Sequence, residues 1–154
     1  MKIKLVAVGN LKDSYWKDAC NEYLKRLKRF AEVTVVEIPE ETVAENATQI
    51  ETAKNKEGSR ILQAVKEKMY LLSLDGEQLT SEKFAEYIKE DYDLGRAVTF
   101  VIGGSYGTSN EVNKRADKKI AFGKITFPHR LMRVVFLEQL YRAFTINNNI
   151  SYHK

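Results

Sequence analysis

Hydrophobic and polar positions follow two rhythms along this chain. Lys2 to Val8 steps in twos and is rich in Ile, Leu and Val, which predicts a strand ending at Gly9. From Lys12 to Phe30 the rhythm changes: Tyr15, Ala19, Tyr23, Leu27 and Phe30 recur at helical spacing. Val33 to Ile38 reads as a second strand, stopped by Pro39. Residues 40–56 are polar and poor in large apolar side chains, so they read as loop or exposed helix. A clearer helix is expected from Glu57 to Lys68, carried by Ile61, Leu62 and Val65. Met69 to Leu74 predicts a third strand, running into a turn at Asp75-Gly76. Thr80 or Ser81 then caps a helix through Tyr92, with Phe84, Tyr87 and Ile88 inward. Ala97 to Ile102 is an unbroken apolar run, the signature of a strand covered on both faces. A short helix at Asn110–Asp117 and a short strand at Lys119–Phe122 follow. Strands alternating with helices predict an α/β fold: an open, mostly parallel sheet with helices on both faces. No repeat, linker or low-complexity stretch divides the chain, so residues 1–154 read as one domain.

The last stretch breaks the pattern of a surface helix. Between Phe127 and Lys154, the residues Leu131, Val134, Val135, Leu137, Leu140, Tyr141 and Phe144 do not fit one stripe. A helix apolar on most sides is buried on most sides. Its polar residues form two groups, His129, Arg130 and Arg133 near the start and Glu138, Gln139 and Arg142 further on. A helix packed on its own sheet and on a second subunit would look like this; so would the central core helix of a monomer. Pro128 suits the first helical turn. Glu138 and Arg142 stand four apart and make a plain helix ion pair on spacing alone. Tyr152, His153 and Lys154 end the chain with side chains that can bind or donate.

Composition narrows the class. The 154 residues are 44% hydrophobic and 30% charged, as in a globular protein, and no apolar run approaches membrane-spanning length. One cysteine, Cys20, excludes an internal disulfide and fits a reducing cytoplasm; its apolar helical setting reads as a buried structural thiol. The net charge is +4, and the stretch from Phe127 onward is basic, which favours phosphate partners. The two histidines, His129 and His153, lie far apart and show no metal-ligand spacing, so no metal is expected. His129, just inside a helix start, reads equally as a phosphate donor or a surface histidine.

In open α/β sheets, ligands sit beyond the carboxyl ends of the strands. Three such ends carry turn residues here: Leu74-Asp75-Gly76, Gly103-Gly104-Ser105-Tyr106-Gly107, and Phe122-Gly123-Lys124. The glycine-rich loop is neither a P-loop nor a dinucleotide fingerprint. By itself it reads as a tight strand-to-helix turn as readily as a ligand loop.

Several blocks together are more specific. Phe127-Pro128-His129, Arg133-Val134, Glu138 to Ala143 and the terminal Tyr152-His153-Lys154 resemble the family of bacterial rRNA large subunit methyltransferases H, the RlmH family of the SPOUT class. Val6 to Gly9 with Leu11-Lys12 and Tyr15-Trp16, Glu57-Gly58 with Arg60 to Leu62, Leu74-Asp75-Gly76 with Ser81-Glu82, and Val101 to Gly104 with Gly107 agree along essentially the whole chain. The resemblance implies methyl transfer from S-adenosylmethionine to N3 of a pseudouridine in helix 69 of 23S rRNA, on the assembled 70S ribosome. It also implies a homodimer, a C-terminal trefoil knot, and a cofactor pocket formed by Leu74, Gly103, Phe122, Gly123, Lys124, Ile125, Thr126 and Phe127. Pseudouridine N3 must lose a proton, and His153, Tyr152 and a ribosomal group or water are the candidates to take it, with Arg142 the third catalytic candidate of the chain; the tail of one subunit is expected to complete the pocket of the other. His129, Arg133, Arg142 and Lys154 are the candidate RNA contacts. Two departures stand out. The glycine and proline usual before the terminal Tyr-His-Lys are replaced by Asn147 to Ser151, and the segment between Asp75 and Gly76 is shorter. Methylation of another RNA, a non-catalytic ribosome-binding factor and a flavodoxin-like domain binding another nucleotide are the rival readings.

Overall fold

The computed structural model describes residues 1–43 and 46–154. Five strands, β1 (Lys2–Val8), β2 (Glu32–Ile38), β3 (Lys68–Gln78), β4 (Val98–Ile102) and β5 (Lys118–Ala121), form one sheet in the order β2-β1-β4-β3-β5. Every pairing is parallel. Five helices connect and cover them: α1 (Ser14–Leu27), α2 (Ala47–Ala64), α3 (Ser81–Asp93), α4 (Asn110–Arg115) and α5 (His129–Asn147).

Alternation along the strands sorts their side chains to two faces. Ile3, Leu5, Ala7, Phe100, Ile102 and Tyr70 join Cys20 and Leu27 of α1, Phe84 and Ile88 of α3, and Phe136, Leu140 and Phe144 of α5 in the larger core. Val6, Val8, Met69, Leu71 and Val101 pack with Ile61 of α2 and Val112 of α4 in the smaller one. All five residues of β4 are buried, as its unbroken apolar run predicts. Cys20 is buried on α1 and makes no disulfide.

Two local differences stand out. Of the stretch read as loop or exposed helix, residues 47–56 are helix, the first half of α2, and the helix expected to reach Lys68 ends at Ala64. Asn46 caps this helix by accepting the Gln49 N–H at 2.9 Å. The periodicity is weak because this helix buries only Ala53, Glu57, Gly58 and Ile61. The part of the expected loop at residues 44 and 45 lies outside the described residues. Nor does Asp75-Gly76 end the third strand. Leu72 and Glu77 both pair with Ile120, so the residues between them bulge out and β3 resumes beyond. A Cβ on Gly76 would lie 2.6 Å from the Ile120 nitrogen, so only glycine lets β5 pass so close. Pro128 stands one place earlier than expected, at the N-cap of α5.

Candidate active site

β3, β4 and β5 end side by side, and the chain segments leaving them enclose a cavity of about 830 Å³. The β3 bulge contributes Ser73 and Leu74. The loop after β4 contributes Gly103 to Thr108. The segment after β5 contributes Phe122, Gly123, Ile125, Thr126 and Phe127, and the start of α5 adds Pro128, His129 and Met132. The three stretches marked out in the sequence therefore meet at one place, two of them leaving the ends of β4 and β5 and the first as the bulge within β3. Of the expected cofactor residues, Lys124 alone does not line the cavity.

Glycine is required here for two reasons. A Cβ on Gly103 would stand 2.7 Å from Thr108 Cγ2, inside the loop's own return. Gly107 and Gly123 hold φ of +82° and +126°, which L side chains rarely adopt. The lining is a ring of apolar walls, from Leu72, Ile102, Ile120, Phe122 and Met132, with loop backbone between them. Such a slot suits a flat heteroaromatic group with polar substituents read by backbone N–H and C=O groups.

The start of α5 is built around Arg133. Arg133 is 1% exposed. Nη1 donates to Glu37 Oε1 at 2.6 Å, and Nη2 donates to the carbonyls of Val8 and Gly9. The expected RNA contact through Arg133 is therefore corrected: the side chain is committed to tying α5 to the ends of β1 and β2. Its place in the polar pattern had suggested solvent, but burial is tolerated because its partners are at hand. His129 lines the cavity, and its Nε2 is buried without a hydrogen-bond partner. Burial pushes the His129 pKa down, against the pull of Glu40.

At the far end of α5 the tail folds back on its own chain. The Tyr152 hydroxyl donates to Glu138 Oε1 at 3.1 Å, and Arg142 Nε donates to the same oxygen at 3.1 Å. The Arg142 guanidinium lies 4.8 Å over the Tyr152 ring, which also meets Tyr141 edge-on at 4.9 Å. Arg142 Nη1 is 3.2 Å from His153 Nδ1, and His153 Nε2 is 2.7 Å from Glu82 Oε1. A guanidinium only donates, so Nδ1 is the acceptor and the proton sits on Nε2, facing Glu82. Burial, then its hydrogen-bond partners, push the Tyr152 hydroxyl pKa up, so this group is a donor and not a proton acceptor. Lys154 is exposed. None of Arg142, Tyr152, His153 and Lys154 lines the cavity. The structure thus makes two clusters within one chain, a cavity and a polar tail, and does not join them.

Comparison with known proteins bears on the family and the fold. The family model described as Predicted SPOUT methyltransferase matches residues 1–153. The chain belongs to the SPOUT methyltransferase family. It is 53% identical, over the full length of both chains, to the ribosomal RNA large subunit methyltransferase H of Lactobacillus acidophilus. It is 48% identical, again over both full lengths, to a protein of the same name from Clostridium perfringens. Among solved structures, a probable methylase family protein of Haemophilus influenzae matches with a TM-score of 0.57 at 14% identity, covering 99% of this chain and 70% of that one. A methyltransferase candidate from Legionella pneumophila, solved with the cofactor SAM bound, matches with a TM-score of 0.52 at 11% identity, covering 94% of this chain and 66% of that one. At these identities the two bear on the fold alone.

Sequence reasoning missed part of the cavity wall, including Leu72, Thr108, Asn113 and Met132. Met132 was within reach, since it follows His129 by three places and shares its helix face. Among the described residues, no group of three His, Cys, Asp or Glu is placed to hold a metal, and no helix is long and apolar enough to cross a membrane.

Proposed function

We propose that this chain transfers a methyl group from S-adenosylmethionine to N3 of a pseudouridine in helix 69 of 23S rRNA, on the assembled ribosome in the cytoplasm, as a homodimer. The observation that carries the reading is the glycine-marked cavity, in which seven of eight expected cofactor residues meet. The names of relatives about half identical over their whole length support the rRNA substrate. When bound in the cavity, the cofactor supplies a methyl group activated by a sulfonium. Leu72, Ile102, Phe122 and Met132 would hold its adenine, and the Gly103 and Gly123 segments its polar edges.

The chain's own residues then have to hold the RNA and take the proton from N3. Glu138 holds the Arg142 guanidinium in place, which suits a phosphate or a base carbonyl. His153 presents Nδ1 as an acceptor, engaged here by Arg142, whereas the Tyr152 hydroxyl is a donor. These groups stand away from the cavity of their own chain, so the reading assigns them to the cavity of a partner. Leu131, Val134 and Val135 are only half-buried and lie on one face of α5, which supports a subunit contact there. The family's threaded C-terminal chain is part of the same reading; such threading is rare among folds.

The test is direct. Purified protein and S-adenosylmethionine are given 70S ribosomes or protein-free 23S rRNA, and the new methyl group is mapped by mass spectrometry. Methylation of helix 69 in the ribosome, with little on bare RNA, is expected, because a chain of this size and modest charge needs more than one surface to dock. Methylation elsewhere, or none, would overturn the reading.

A further inference from the structure

A second cavity, of about 670 Å³, adjoins the first and shares the Ser105–Tyr106 edge with it. It opens at the carboxyl ends of β1 and β2, where Gly9 and Asn10 face Glu37 to Val43. Its chemistry is different. No carboxylate lines the cofactor cavity, whereas Glu37, Glu40 and Glu41 line this one, together with Lys12 and Arg130.

The three carboxylates are not equivalent. Glu37 is clamped by Arg133, and Glu41 is held by Arg60 at 2.6 Å. Glu40 Oε1 accepts the Ser105 hydroxyl at 2.8 Å, which ties it to the loop between the cavities. Its Oε2 has no hydrogen-bond partner among the described residues. That oxygen stands 3.4 Å from the point where a side chain on Gly9 would begin, and His129 Nε2 stands 3.2 Å from the same point. The wall between the cavities thus carries one open carboxylate oxygen, kept in place by Ser105 and kept uncovered by a glycine.

Pseudouridine is joined to its sugar through carbon, so its ring bears two donors, N1–H and N3–H. Uridine bears its sugar on N1 and has only N3–H. An enzyme that methylates N3 sees N1 on the same ring, with its N–H diverging from the reacting edge. A base lying across the Ser105–Tyr106 edge with N3 toward the cofactor turns N1 toward the acidic wall. The Tyr106 ring, 44% exposed at that edge, offers a stacking surface. Lys12 and Arg130 stand where flanking phosphates would approach, although Arg130 also lies 3.5 Å from Asp13.

We propose that this polar cavity seats the target base and that Glu40 Oε2 accepts the N1–H of pseudouridine, which makes Glu40 the residue that sets the preference over uridine. The inference rests on the function proposed above. It is tested on the full-length protein with two ribosome preparations, one carrying pseudouridine at the target and one, from cells lacking the pseudouridine synthase, carrying uridine. The quantity read is the ratio of kcat/KM between them. The wild type should favour pseudouridine by about 10- to 100-fold, the range of a hydrogen bond to a charged acceptor. In Glu40→Gln, the amide oxygen takes over the Ser105 contact and the NH2 meets N1–H, donor against donor, so the ratio should fall to near one. Glu40→Ala should also lower it, without the clash. Melting curves and S-adenosylmethionine binding verify that each variant is folded. A ratio unmoved in folded variants, or a wild type with no preference, overturns the assignment of Glu40 while leaving the methyltransferase reading intact. Absence of methyl transfer to either ribosome overturns both.

Discussion

The two ends of α5 hold arginine in opposite ways. Arg133 is enclosed, its partners are one carboxylate and two backbone carbonyls, and all of them belong to the frame of the sheet. Arg142 is half-buried, and its partners are Glu138, the Tyr152 ring and His153, side chains that can let go. Same residue type, same helix, nine positions apart in number, yet one is tied into the frame of the sheet and the other only to side chains of its own helix and the tail. The difference teaches that a basic residue near a candidate site declares its role by what surrounds it, not by its charge.

The sharpest way to break this contrast is at Arg133. Arg133→Met should destabilise the fold by about 2–3 kcal/mol in urea unfolding, because the Val8 and Gly9 carbonyls lose their buried donor while Glu37, partly exposed, regains water. A loss below about 1 kcal/mol would mean that the guanidinium is dispensable to the frame. At the other end, removal of Tyr152, His153 and Lys154 should lower methyl transfer to ribosomes by about a hundredfold, a positioning effect, with cofactor affinity kept within about twofold. Mixing that truncated chain with one blocked at the cavity by Gly103→Val should restore activity in mixed dimers. Failure of such mixtures, with dimers present, would place tail and cavity in one subunit. Tyr152→Phe should be milder, about tenfold or less in rate, since one hydrogen bond to Glu138 is lost and the ring stays.

The smallest effect concerns pH. Burial depresses the His129 pKa in the folded chain below its usual 6.5. As pH falls through 6.5 the unfolded chain takes up the proton first, so this contribution to stability is present above 6.5 and declines below it. His129→Gln should flatten the stability profile there by less than about 1 kcal/mol. An unchanged slope in chemical denaturation between neutral and mildly acid pH would show that another group sets it.

The same contrast explains what could be read from the residues. The apolar run of β4 and the alternation in β1 announce a buried parallel sheet, because a strand's environment is written in its own side chains. The meeting of three glycine-marked stretches followed from the rule for open sheets. Arg133 was misread because its partners, Glu37 and two carbonyls, come from strands about a hundred positions away, and spacing along one helix says nothing of them. The continuation of β3 was hidden for a similar reason. Asp75-Gly76 has the composition of a turn, and only the nearness of Ile120 explains why a glycine is needed within a strand. Glu40 drew no notice, since an acid in a polar stretch is unremarkable until Ser105 is found beside it.

One last consequence concerns the lone thiol. Cys20 is 6% exposed under the larger core, and burial, the largest influence on it, pushes its pKa up, while Arg133 pulls it down. An alkylating reagent can reach it only when α1 lifts away from the sheet. With no second cysteine in the chain to blur the signal, the rate of labelling clocks the opening of that one seam in the native protein.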